Sequence, residues 1–171
     1  MKAAYVKAME GLYILCAAIS GLCIVLMTLI IPYGVFTRYV LNSASSWPEP
    51  LAVLLVILFT FLAAAACYRA NVHIAVSMVT DALPPVGTRI ANIIRDGLMT
   101  LLSLFAVIWG IRLVEVTWNN TVGEFPFLSV GITYLPIPVG GAITLLFILE
   151  RLWVGPPGPD SVIHREPVSA D

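Results

Sequence analysis

Residues 11–37 form a run of 27 positions without one charged side chain, held between Glu10 and Arg38. At about 1.5 Å of rise per residue, a helix of that length reaches roughly 40 Å, against about 30 Å of hydrocarbon in a bilayer. A stretch this long and this apolar is a membrane span. Tilt, or a break near Pro32 and Gly34, absorbs the excess length. A cleaved signal has an apolar stretch of only about 7–15 residues that ends in small side chains, so the run is read as retained.

The rest of the composition agrees. Only 11% of the 171 residues are charged and 60% are hydrophobic, where a soluble domain carries about a quarter charged residues to face water. Net charge is −1, and there is no basic stripe of the kind that holds a nucleic acid. The three cysteines, Cys16, Cys23 and Cys67, lie in or beside apolar runs and form no C-x-x-C pair. An odd count in that setting reads as small apolar packing residues, not as a disulfide framework or a zinc site.

Three further runs complete the expected architecture. Residues 50–68 follow Ser46-Trp47-Pro48-Glu49, an S-x-x-E pattern that fits a capping box. Within them Ala63-Ala64-Ala65-Ala66 gives a smooth face that another backbone can approach closely. Residues 97–118 form the third run, with Arg112 snorkelling to the interface and spaced to pair with Glu115. Residues 125–149 form the fourth, whose Pro136, Pro138, Gly140 and Gly141 predict an irregular or kinked first half.

Between the second and third runs, residues 72–95 alternate at helical spacing. Val72, Ala75, Val76, Val79, Ala82 and Leu83 share one face; His73, Ser77, Thr80 and Asp81 share the other. Pro84-Pro85 ends that helix, and Thr88 starts a second short one with Arg89, Asn92 and Arg95 on its polar side. The segment reads as lying in the membrane interface, with a hairpin off the membrane as the alternative. The expected fold is therefore all-α, four transmembrane helices plus an interfacial amphipathic helix. Residues 1–154 form a single four-helix membrane domain, and 155–171, rich in Pro, Gly and charge, form a disordered cytoplasmic tail. Lys2, Lys7, Arg69, Arg89, Arg95, Arg151 and Arg165 fall on one side and only Arg38 and Arg112 on the other, which predicts both termini in the cytoplasm.

Catalysis needs nucleophiles, bases or metals converging in a pocket. The two histidines, His73 and His164, lie outside the spans, and no carboxylate pair, phosphate loop or HExxH pattern is present. The sequence therefore predicts no catalytic residues, no metal and no cofactor. Autonomous transport normally requires ionisable groups facing a cavity, whereas the span interiors offer hydroxyls: Ser20, Thr28, Thr60, Thr100, Ser103 and Thr144. Such groups commonly satisfy backbone or helix contacts. The chain reads as a scaffold that needs a partner.

The elements Arg38-Tyr39-Val40-Leu41-Asn42, Ser46-Trp47-Pro48-Glu49, Arg69 with His73-Ile74, and Tyr134-Leu135-Pro136-Ile137-Pro138-Val139-Gly140 resemble, in this order, the small membrane subunit (DctQ type) of tripartite ATP-independent periplasmic (TRAP) transporters. One departure is that the family's second acidic residue after the Trp is here Pro50, leaving Glu49 alone. The resemblance implies a non-catalytic subunit in the inner (cytoplasmic) membrane of a bacterium or archaeon. It would brace a large elevator-type permease subunit that moves organic acids with sodium, with transient contact to a periplasmic substrate-binding protein and with membrane lipid. It also points to Arg38, Asn42, Trp47, Glu49, Arg69 and His73 as subunit-interface or structural residues. Arg38 and Glu49 are placed to pair across the outer loop or to meet partners, with snorkelling as the bland alternative for Arg38. Trp47 reads as an aromatic-belt residue or as a contact with the binding protein. Arg69 and His73 are placed to fix the entry of the amphipathic helix, with a lipid phosphate as the competing partner for Arg69. The other functional class compatible with the composition is a membrane anchor for a redox or other enzyme complex.

Overall fold

The computed structural model describes residues 2–43, 45–70, 85–123 and 125–155. Its long helices are α1 (Lys2–Tyr39), α2 (Pro48–Ala70) and α3 (Pro85–Thr117). A small hairpin, β1 (Thr121–Val122) with β2 (Phe125–Ser129), leads into a short helix α4 (Val130–Tyr134) and then α5 (Pro136–Trp153). Counting α4 and α5 together, four segments among the described residues are long and apolar enough to cross a membrane. The protein is an all-α, multi-pass membrane protein.

Several boundaries differ from the sequence expectation for physical reasons. α1 continues through Pro32 and Gly34, which leaves tilt or protrusion to absorb its length. It ends where Asn42 takes a left-handed conformation with φ 48°, the backbone region that Asn tolerates best after Gly. The Ser43 amide then donates back to the Thr37 carbonyl at 3.1 Å. α2 opens at Pro48, with the Trp47 carbonyl accepting from the Leu51 amide. Glu49 is thus in the first turn but one position short of the capping-box register. Residues 85–95 are the first turns of α3 and not a separate short helix, because no proline lies between Thr88 and Thr117 and the two glycines there, Gly97 and Gly110, are each tolerated by a helix at about 1 kcal/mol. The amphipathic stretch before Pro85, His73 included, lies outside the described residues, as does the tail from residue 156.

At the other end of α3, residues 125–129 are a strand. Thr121 pairs with Ser129 and Val122 with Phe125 in antiparallel register. The Ser129 hydroxyl donates to the Trp118 carbonyl and accepts from the Gly131 amide, so it closes the hairpin and caps α4 together. A short apolar run does not by itself tell a strand from a buried helix.

In space the spans stand in the order α1, α2, α5, α3. The final span is wedged between α2 and α3, and two adjacent glycines make that possible. A Cβ on Gly140 would stand 2.7 Å from Phe61 Cβ on α2, and one on Gly141 would stand 3.0 Å from the Ser103 carbonyl oxygen on α3. With no hydrophobic drive between helices in lipid, close backbone approach and dispersion carry association. In the packed core small side chains of α2 receive larger ones: Ala65, fully buried, sits with Met9, Tyr68, Phe147 and Ile148, and Ala66 sits with Cys16 and Leu62. α1 reaches α5 near its start, where the Tyr5 and Trp153 rings lie 5.8 Å apart.

The span hydroxyls mostly bond to their own helices. Thr28, Thr60, Thr100 and Thr144 each donate to the carbonyl four residues back, at 2.6–2.8 Å. Arg112 places its guanidinium 5.3 Å from the centre of the Trp109 ring one turn away, in place of the pairing expected with Glu115.

Gly140→Ala forces a methyl against Phe61 and is expected to destabilise the bundle by about 1–3 kcal/mol, as overpacking does. Gly21→Ala meets nothing within 4 Å and should change stability by less than about 0.5 kcal/mol. Thermal melting of the two variants in detergent, followed by size-exclusion recovery, measures the difference.

Candidate functional site

The polar side chains gather at the two ends of the bundle. At one end the start of α1, the end of α2, the early turns of α3 and the end of α5 converge. Arg69, in the last turn of α2, reaches Glu150 near the end of α5. Its Nε donates to Glu150 Oε2 at 2.8 Å and its Nη2 to Oε1 at 2.9 Å, a two-pronged geometry that fixes direction as well as distance. Both side chains are almost wholly buried, at 2% and 6% exposure. The guanidinium lies against two rings, 5.5 Å from the centre of Tyr13 and 5.6 Å from that of Phe147, which favours the cation. Arg69 Nη1 is buried without a hydrogen-bond partner.

The pair also suits the helix ends. A cation in the last turn of a helix meets the partial negative charge of the unpaired carbonyls, whereas a carboxylate there is repelled. Arg69 is therefore placed favourably on α2, and it offsets the unfavourable position of Glu150 on α5.

Beside this pair, Asp96 of α3 joins the same end. Tyr68 donates its hydroxyl to Asp96 Oδ1 at 3.1 Å, Arg95 donates to the same oxygen at 3.0 Å, and Arg151 Nε stands 3.5 Å from Oδ2. Tyr68 and Arg69 on α2, Asp96 on α3 and Glu150 and Arg151 on α5 thus form one polar layer under the core.

At the opposite end Arg38 Nη2 donates to Glu49 Oε1 at 2.7 Å, linking the end of α1 to the start of α2. Here the side chains are 49% and 72% exposed, so solvent screens the pair and its contribution is about 0–1 kcal/mol. The Tyr33 and Trp47 rings lie 5.6 Å apart, and Gly34 lets Pro48 approach to 3.1 Å from where a Cβ would stand. Asn42 turns the chain between these contacts. A cleft of about 290 Å³ opens beside them, lined by Gly34, Arg38, Tyr39, Ser45 and Glu49 among others.

The structure thus brings Arg38, Asn42, Trp47 and Glu49 into one loop region and puts Arg69 at the far end of α2, in the other constellation. Arg69 faces Glu150 inside the bundle, so its guanidinium is not presented to a lipid phosphate. Sequence reading passed over Glu150, Asp96 and Tyr68. Glu150 was visible only as the charge that ends an apolar run, 81 positions from its partner, and no local spacing links the two. Among the described residues, no group of three His, Cys, Asp or Glu side chains is placed to share a metal ion.

A bundle whose buried charges face one another, and whose outer faces are apolar, is a multi-pass membrane protein. The sequence model of the tripartite ATP-independent periplasmic transporters, DctQ component, matches residues 27–155. The chain belongs to this family, the small membrane subunits of TRAP transporters. It is also similar to a Haemophilus influenzae protein named "Putative TRAP transporter small permease protein", with 29% identity over 143 residues, covering 84% of this chain and 86% of the relative.

Removing one partner of the inner pair leaves a buried charge uncompensated, so Glu150→Leu or Arg69→Met alone should cost about 3–5 kcal/mol, and the two together far less. Arg38→Ala should cost no more than about 1 kcal/mol. A double-mutant cycle on melting temperature in detergent gives both numbers. At the loop, Asn42→Gly keeps the left-handed turn and should melt like the parent, while Asn42→Val should lose about 1–2 kcal/mol.

Proposed function

We propose that this chain is the static, non-catalytic small subunit of a sodium-coupled TRAP transporter for organic acids. It lies in the inner membrane of a bacterium or archaeon with both termini cytoplasmic. On this reading it braces the large elevator-type permease subunit, and the periplasmic binding protein meets the complex transiently. The observation that carries the proposal is the inward pairing of Arg69 with Glu150. The most deeply buried ions of the bundle neutralise each other, and the outer helices α1 and α3 present apolar surface such as Leu22, Val25, Leu29, Leu101 and Phe105. Such a surface packs well and handles no substrate.

The seven-to-two distribution of Lys and Arg supports this orientation, on which the Arg69–Glu150 layer is at the cytoplasmic end. Arg38, Asn42, Trp47 and Glu49 then form the periplasmic loop, where the large subunit and the binding protein are within reach. The anchor of a redox or other enzyme complex has no observation in its favour once the family is known.

Purification of the tagged chain from its native membrane in mild detergent should recover a large polytopic protein at equal stoichiometry. Deletion of the chain should abolish sodium-dependent uptake of the organic acid. Recovery of a redox enzyme, or uptake that survives the deletion, would overturn the reading. Glu49→Gln should lower uptake while membrane insertion is unchanged; full uptake would remove Glu49 from the working residues.

A further inference from the structure

α3 stands at one end of the row of spans and packs on α5 through Ser103, Val107 and Gly110. Nine positions on from Ser103, at about 100° each, Arg112 comes to the opposite side of the helix and points out of the bundle. Its neighbours on that outward face are Leu98, Leu101, Phe105 and Ile108, each roughly half exposed. Arg112 and Glu115 are the only charged residues of α3 beyond Asp96. Sixteen residues separate Arg112 from Asp96 in the polar layer, a rise of about 24 Å. Trp118, just past the end of α3, is about 9 Å further on and belongs at the headgroup level, as belt residues do. With about 30 Å of hydrocarbon to cross, the Arg112 backbone lies inside that layer, several ångströms short of its edge.

The guanidinium does not turn toward the headgroups. It lies 5.3 Å from the centre of the Trp109 ring, one turn deeper, and that ring lies 5.9 Å from Phe105. Among the described residues Arg112 forms no ion pair, although Glu115 stands one turn away on the headgroup side. The ring face offsets only part of the cost of a cation in hydrocarbon, and a charge so placed calls for an opposite one. A lipid phosphate comes from the headgroup side, where the Glu115 carboxylate repels it. A second copy of this chain, related by an axis along the membrane normal, brings another Arg112 to the same depth. A transmembrane helix of a different protein, laid along α3, can hold its carboxylate at the depth of Arg112 while it covers Phe105 and Trp109. Trp and Arg are the residues on which interfaces most often concentrate binding energy.

We propose that the outward face of α3 around Trp109 and Arg112 docks a transmembrane helix of the large permease subunit, and that Arg112 pairs there with an aspartate or glutamate of that helix. The inference rests on the small-subunit reading above and adds to it the face and the charge through which the two subunits meet. A pair formed away from water fixes the height of the partner helix against α3, as Arg69 and Glu150 fix α5 against α2.

The test uses the tagged full-length chain, purified in mild detergent together with the transporter components expressed beside it. With Arg112→Glu, recovery of the large subunit should fall about tenfold or more, because like charges then face each other. With Arg112→Lys, which keeps the charge, it should stay within about twofold of the parent. Both variants should insert and purify as monodisperse protein. With p-benzoylphenylalanine in place of Ile108, ultraviolet light should join the chain to a transmembrane peptide of the large subunit that has an acidic residue within one turn of the adduct. Replacing that acidic residue by Lys should restore recovery with Arg112→Glu. If Arg112→Glu does not purify, the crosslink at Ile108 decides alone. Undiminished recovery with Arg112→Glu, crosslinks to phospholipid only, or crosslinks to a second copy of this chain would each overturn the inference and leave the small-subunit reading standing. A parent chain that recovers no large subunit would overturn both.

Discussion

The structure depends on one ion pair buried where the two central spans end together. Arg69 and Glu150 are almost fully removed from solvent and joined by two hydrogen bonds. Either one alone at that depth would carry a desolvation penalty of several kcal/mol. Each makes the other tolerable, and the two-pronged geometry sets the rotation and height of α5 against α2. Tyr13 and Phe147 close over the guanidinium, so α1 and the core are registered to the same point. Asp96, reached by Tyr68 and Arg151, brings α3 into the layer.

Above that layer the association is one of shape. Gly140 and Gly141 let the last span press against α2 and α3 on opposite sides, and Ala65 and Ala66 offer no protruding side chain on the α2 face. In a bilayer the hydrocarbon outside is as apolar as the side chains inside, so close approach and exact polar pairing replace the hydrophobic drive of a soluble core. The same logic explains why most span threonines donate to their own helices: a hydroxyl bonded to a carbonyl four residues back asks nothing of the lipid.

The two ends of the bundle therefore do different work. The buried layer is a registering device whose strength comes from the absence of water. The exposed Arg38–Glu49 contact, with Trp47 against Tyr33 and Asn42 turning the chain, is weak in energy and shapes an exposed loop.

Reading the residues alone settled the class of the molecule, because charge-free stretches of this length are energetically admissible only in lipid. It also settled the number of spans, and four short elements in order were enough to mark the family. The sequence pattern did not reach the strand at residues 125–129, where apolar composition is the same for strand and helix, or the continuity of α3 from Pro85, where two prolines in series read as a boundary. Above all it did not reach the Arg69–Glu150 pair. Helical spacing links a residue to neighbours three or four positions away, and these two stand 81 apart. Only the packing of α5 beside α2, allowed by Gly140, decides that the charge ending the last apolar run is the buried partner of an arginine.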